Sequence, residues 1–259
     1  MTYCVATLLD RGLVFLSDSR TNAGMDQIST YRKMTVFERA GDRVIVLLTA
    51  GNLSISQSVI DLLSKGALSD QLWSASSLSD VAAVVGEALR QIHQRDQMAL
   101  NSFGLDFNCS FLVGGQIKGE RCRLFNVYTA GNFIETSDDN HYFQLGESKY
   151  GKPVLDRVLA PDVSLDDATK CLLISMDSTL RSNLSVGLPL DMLIYEADSL
   201  AVTKTTKISE GDRYFEDIRS RWGSLLQDAF HELPNPQWDE GSVDGMTALS
   251  TDSLRFHDQ

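Results

Sequence analysis

The chain has 259 residues, of which 35 are acidic and 23 basic, giving a formal net charge of −12. That balance repels phosphate backbones and anionic lipid headgroups and argues against a nucleic-acid partner. Hydrophobic content of 43% and charged content of 22% suit a globular domain with a full core, and no apolar run approaches the roughly 20 residues needed to cross a bilayer. With no basic segment ahead of an apolar one at the N-terminus, a cytoplasmic location is expected. Cys4, Cys109, Cys122 and Cys171 lack the spacing of a metal site or a disulfide framework and read as reduced core thiols.

In chain order, four strands are predicted over residues 3–9, 13–17, 33–38 and 43–49, the first two joined by an Asp10-Arg11-Gly12 turn. The intervening stretch 18–31 is polar, with a tight loop at Asn22-Ala23-Gly24. Two helices follow, over 52–65 and from an N-cap at Ser79 to residue 99. In the second, Val81, Val84, Val85, Ala88, Leu89 and Ile92 fall on one face. Strands are predicted at 108–114, 122–129 and 142–145, with Gly114-Gly115 read as a turn.

Pro153 is expected to open a short helix to residue 159. Ser164 is expected to cap a longer one through Thr179, with Leu165, Ala168, Leu172 and Met176 as its apolar stripe. Strands at 190–195 and 199–207 close the pattern. A last amphipathic helix over 214–233 carries Ile218, Trp222, Leu225, Leu226 and Phe230. One domain over 1–233 and an acidic, loosely ordered or docked tail over 234–259 follow. The order strands, helices, strands, helices, strands departs from the alternation of a doubly wound sheet and fits two antiparallel sheets between helix pairs.

Thr2 directly follows the initiator methionine and opens a strand, so removal of Met1 would place a hydroxyl and a free α-amine on one rigid residue. An α-amine of pKa about 7.7–8.0 can take the hydroxyl proton near neutral pH. A lysine would lower the pKa of both groups and a carboxylate would orient the lysine; Asp18 and Lys33 are placed for those tasks. Taken singly, Asp18 beside Arg20 could be a turn cap, Lys33 beside Arg32 a solvated pair, Gly51 a joint and Asp177 a solvent-facing acid.

Taken in order, Thr2, Ser17-Asp18-Ser19-Arg20, Lys33 and Thr49-Ala50-Gly51 resemble the proteasome β-subunit and HslV family of N-terminal-nucleophile hydrolases. The opening Met1-Thr2-Tyr3-Cys4-Val5 and the run from Leu145 to Pro153 resemble its bacterial ancestral β-subunit (Anbu) group. The resemblance implies an α+β fold, the αββα four-layer sandwich, and a self-assembling threonine-type peptidase or amidohydrolase acting on a peptide or amide substrate through Thr2. It implies Asp18 and Lys33 as catalytic partners and Gly51 N–H as an oxyanion donor.

Lower in specificity, it implies supporting roles for Arg20, for Ser148 with Glu147 competing for the slot, for Asp177, and for Ser182 with Ser185 as runner-up. It implies a homo-oligomer, either a ring or a helical stack, and leaves an ATP-dependent partner undefined. Cleavage of small γ-glutamyl or peptide-like amides, and a non-catalytic scaffold that retains Met1, are the alternatives. No cofactor, metal or membrane association is expected: His93, His141, His231 and His257 lack ligand spacing and no phosphate-binding glycine loop occurs.

Overall fold

The structure, a computed structural model, describes residues 2–22 and 28–236. The Ala23-Gly24 loop, Met1 and the tail beyond residue 236 therefore lie outside the described residues. The first five-stranded sheet has the order β10-β1-β2-β11-β12, built from β1 (Tyr3–Leu9), β2 (Gly12–Asp18), β10 (Tyr142–Gly146), β11 (Leu190–Glu196) and β12 (Lys204–Ile208). The second, β5-β6-β7-β8-β9, comprises β5 (Met34–Arg39), β6 (Arg43–Gly51), β7 (Cys109–Ile117), β8 (Arg123–Val127) and β9 (Phe133–Glu135). All pairings are antiparallel, and a small hairpin of β3 (Arg20–Asn22) and β4 (Ile28–Thr30) stands apart.

The period of two along the strands sorts side chains into three cores. Cys4, Ala6, Leu13, Phe15, Val44, Val46 and Leu48 fill the space between the sheets. Their alternates Tyr3, Val5, Val14 and Leu16 meet α4 (Ser148–Val158) and α5 (Leu165–Ser182). Ile45 and Leu47 meet α1 (Leu53–Ser64), α2 (Ser69–Ser74) and α3 (Leu78–Ser102). Helices thus cover both outer faces, so β1, β2 and β6 are apolar on both sides and read as continuous hydrophobic runs. This is the αββα sandwich. The four cysteines are free and buried.

Several boundaries differ from the sequence reading. Ser77, not Ser79, caps α3: its hydroxyl accepts from Asp80 N–H and Asp80 takes Ser77 N–H in return. Gly114 and Gly115 are not a turn but lie inside β7, opposite Val46 and Ile45, because the Phe15 ring from the facing sheet occupies the space a Cβ on Gly114 would need. Pro153 sits within α4 rather than opening it, since the helix starts at Ser148, with Glu147 as its N-cap, whose N–H is satisfied by the carbonyl of Thr2. The strand expected over 199–207 narrows to β12 because Asp198 and Leu200 adopt positive φ in a turn.

Contacts divide the chain into one unit ending at Ser220 and a second starting at Arg221, within α6 (Arg213–Glu232). In the first unit, Phe215 and Ile218 of α6 join the core with α5. Among the described residues no helix is long and apolar enough to cross a membrane.

Candidate active site

Asp18 is the last residue of β2, and the register of the sheet carries it beside the start of β1. It is fully buried, and its Oδ1 accepts from Lys33 Nζ at 2.6 Å and from Tyr3 N–H at 3.1 Å. Gly187 N–H approaches Oδ2 at 3.4 Å. Burial pushes the Asp18 carboxyl above its usual range, opposed by the Lys33 ammonium and the two N–H groups.

Lys33 immediately precedes β5 and is 5% exposed; its carbonyl accepts from Thr49 N–H, which ties it to β6. A second donor of its ammonium reaches the carbonyl of Arg20 at 2.6 Å. A buried lysine with both a carboxylate and a carbonyl partner is held in one place in the wall of the site.

Thr2 precedes β1, and its carbonyl accepts from Glu147 N–H at 2.8 Å. With Lys33, Gly51, Thr49, Tyr31 and Ser56, it lines a hollow of about 550 Å³. It also lines a second hollow of about 270 Å³ with Gly51, Asn108, Ser110 and Gly146. Gly51 ends β6 at φ +113°, and a Cβ there would lie 2.3 Å from the Asn108 carbonyl oxygen, so the backbone turn at the border of the two hollows requires glycine. Thr2, Lys33 and Gly51 therefore share one hollow, and Asp18 stands directly behind Lys33.

Of the remaining sequence candidates, Arg20 also lines the larger Thr2 hollow, and the others lie outside both hollows. Arg20 contributes its carbonyl to Lys33, while its guanidinium donates to Leu184 O at 2.7 Å and lies against Gly187, holding the turn after α5 near Asp18. Ser148 is the first residue of α4, and its carbonyl accepts from Gln144. The group that reaches Thr2 is the Glu147 N–H. Ser182 is exposed at the end of α5, and Ser185 N–H donates to Asn183 Oδ1; neither lines the Thr2 hollows.

Asp177 does not join the cluster. It is 2% exposed and receives Arg181 Nε at 2.9 Å and Arg219 Nε at 2.6 Å, an ion-pair link between α5 and α6. Three residues given no site role in the sequence reading complete the surroundings: Tyr3 and Gly187 donate to Asp18, and Gln144 donates to the Tyr3 hydroxyl. Tyr3 could have been suspected from its place beside Thr2. Gly187 and Gln144 arrive only through tertiary contacts. Among the described residues no group of His, Cys, Asp and Glu could hold a metal ion.

No protein-family profile and no curated protein matches the chain. Solved structures do. The Anbu (ancestral β-subunit) protein of Yersinia bercovieri is 50% identical, with 92% of this chain and all of that one covered at a TM-score of 0.86. Anbu from Hyphomicrobium sp. strain MC1 is 47% identical over 91% of this chain and all of its own, at a TM-score of 0.83. A structure described as the helical assembly of the Anbu complex from Pseudomonas aeruginosa is 46% identical over 93% of this chain and all of its own, also at 0.83. Identity at this level across more than nine-tenths of the sequence, on the same sandwich, leads to one conclusion: the chain belongs to the Anbu family of proteasome β-subunit-like proteins.

Proposed function

We propose that this protein is a self-assembling N-terminal threonine hydrolase that cleaves peptide or amide bonds through Thr2 once Met1 is removed. The observation that carries the reading is the buried Asp18–Lys33 pair at 2.6 Å in a wall of the hollow that Thr2 lines, with Asp18 also holding the N–H of the residue after Thr2. Two ions withdrawn from water cost several kcal/mol each before their attraction is counted. Placing that pair behind a residue able to become a terminal threonine gives the cost a chemical use.

In the proposed cycle, Thr2 Oγ attacks the substrate carbonyl and passes its proton to the Thr2 α-amine. The Lys33 ammonium lowers the proton affinity of both groups, and Asp18 keeps Lys33 oriented. The oxyanion is held by Gly51 N–H, a contribution of about 3–4 kcal/mol in comparable sites. The ammonium of Thr2 returns its proton to the leaving amine as the C–N bond breaks, leaving an ester on Oγ. Water, deprotonated by the same amine, cleaves the ester and releases the acid.

Assembly is proposed on two supports: the helical assembly recorded for the Pseudomonas aeruginosa relative, and the exposed Leu225, Leu226 and Phe230 of α6. A heterologous contact that fails to close builds a helix. Light scattering coupled to size exclusion should give a mass well above 28.6 kDa, and a stable monomer would count against assembly.

The decisive experiment joins intact mass with labelling by a hydroxyl-directed β-lactone. Wild-type protein should lack Met1 and gain one label, mapped to Thr2. Thr2→Ala should lose both label and amide hydrolysis. Retained Met1, or undiminished hydrolysis in Thr2→Ala, overturns the reading.

A further inference from the structure

The peptide unit between Thr2 and Tyr3 is gripped on both of its polar ends. Its carbonyl accepts from Glu147 N–H at 2.8 Å, and its N–H donates to Asp18 Oδ1 at 3.1 Å, the same oxygen that takes the Lys33 ammonium. One plane therefore fixes the main chain of Thr2 relative to Asp18 and to the start of α4.

The Tyr3 side chain extends this grip to the opposite face of the sheet. It is fully buried, and its phenol oxygen shares a hydrogen bond of 2.6 Å with Ser175 Oγ of α5. It also accepts from Gln144 Nε2 at 2.6 Å. The same Gln144 amide donates to the Ser148 carbonyl in the first turn of α4 at 3.1 Å. Gly151 of α4 lies so close that a Cβ there would be 2.1 Å from Ser175 Oγ and 2.7 Å from the Tyr3 hydroxyl.

These four groups join β1, β10, α4 and α5 directly behind Thr2. A phenylalanine would fill the same apolar space, so packing alone does not call for the hydroxyl. What the hydroxyl adds is a fixed distance between β1 and the α4 start that supplies the Glu147 N–H.

We propose that Tyr3 and Gln144 are positioning residues for Thr2. Through the phenol–amide–Ser148 carbonyl link they hold the Glu147 end of α4 against the Thr2–Tyr3 peptide, and so set the angle at which Thr2 presents its hydroxyl and amine to the hollow. The catalytic half of this statement rests on the reading of Thr2 as nucleophile; the positional half does not.

The test uses Tyr3→Phe and Gln144→Met in the full chain, with two readouts. The first is hydrogen exchange of the amide of residue 3, with those of Val5 and Thr7 as internal references on the same strand. Loss of about one net hydrogen bond should speed exchange at residue 3 about fivefold in each variant while the references hold. The second is the rate of β-lactone labelling at Thr2, expected to fall about five- to fiftyfold at unchanged half-saturation, since small misplacements of a reacting group are costly.

The double variant should be no slower than the worse single one, because both substitutions cut one link. Exchange at residue 3 unchanged in both variants overturns the proposal. So does labelling at the wild-type rate in both, even with lowered thermal stability, because the link would then serve the fold alone. Faster exchange at residue 3 in a protein whose wild type takes no label would uphold the clamp and sink only the reading of Thr2 as nucleophile.

Discussion

Asp18 and Asp177 are both buried carboxylates with cationic partners, set in different surroundings. Asp18 is tied to a lysine that is itself buried and to two main-chain N–H groups, behind the wall of a hollow that Lys33 and Thr2 line. Asp177 is tied to Arg181 and Arg219, whose side chains are 56% and 33% exposed, and joins two helices at the outer layer. Arginine at a partly wet site makes a durable structural fork, whereas a buried lysine is a compact charge that neighbouring groups can feel. Burial of an acid by itself does not separate the two; the identity of the cation and the presence of an adjoining cavity do.

The contrast can be broken most directly at Lys33. Lys33→Met should lower amide hydrolysis by about 10²–10⁴-fold, the range for a lost acid–base partner. Because it strands Asp18 without its cation, stability in urea should fall by about 3–5 kcal/mol. Unimpaired hydrolysis would put the two aspartates in the same structural class.

Gly51→Ala probes the wall between the hollows. With φ at +113° and the Asn108 carbonyl in the way, strain of about 1–3 kcal/mol is expected in thermal denaturation, with loss of most activity through displacement of the N–H.

Asp177→Asn should cost about 1–2 kcal/mol in urea, because its arginines regain water. Its hydrolysis rate should stay within about twofold of wild type, because Asp177 lines neither Thr2 hollow. A drop in turnover matching that of Lys33→Met would erase the distinction. The mildest change is Ser148→Ala: its recorded bond uses the main-chain carbonyl, which alanine retains, so labelling at Thr2 should change by less than about threefold. A larger fall would assign the serine hydroxyl a part that the Glu147 N–H now holds.

Much of the architecture is present in local pattern. β1 begins and ends where its apolar run does, α1 starts at an asparagine that caps it, and α5 starts at Ser164, whose hydroxyl accepts from Asp167 N–H. Short pieces without an apolar period of their own, such as α2 and β9, carry no such signal and take shape only against α3 and β8. Likewise, the apolar stripe of α6 is packed at Ile218 but exposed at Leu225, Leu226 and Phe230, a difference that periodicity cannot express.

By itself the sequence determined that two apolar sheets alternate with helix pairs, and its resemblance to a known family picked out a threonine, an aspartate, a lysine and a glycine at strand ends. Strand length and turn chemistry are local, so these were legible. Tertiary structure alone decided that the Glu147 N–H meets the Thr2 carbonyl, that Gly187 and Tyr3 close around Asp18, and that Asp177 spends its charge on two arginines. Apart from the Asp177–Arg181 pair, four residues apart within α5, each of those contacts joins separate segments of the chain, and a hydrogen bond of a few ångströms depends on packing angles that no local pattern encodes.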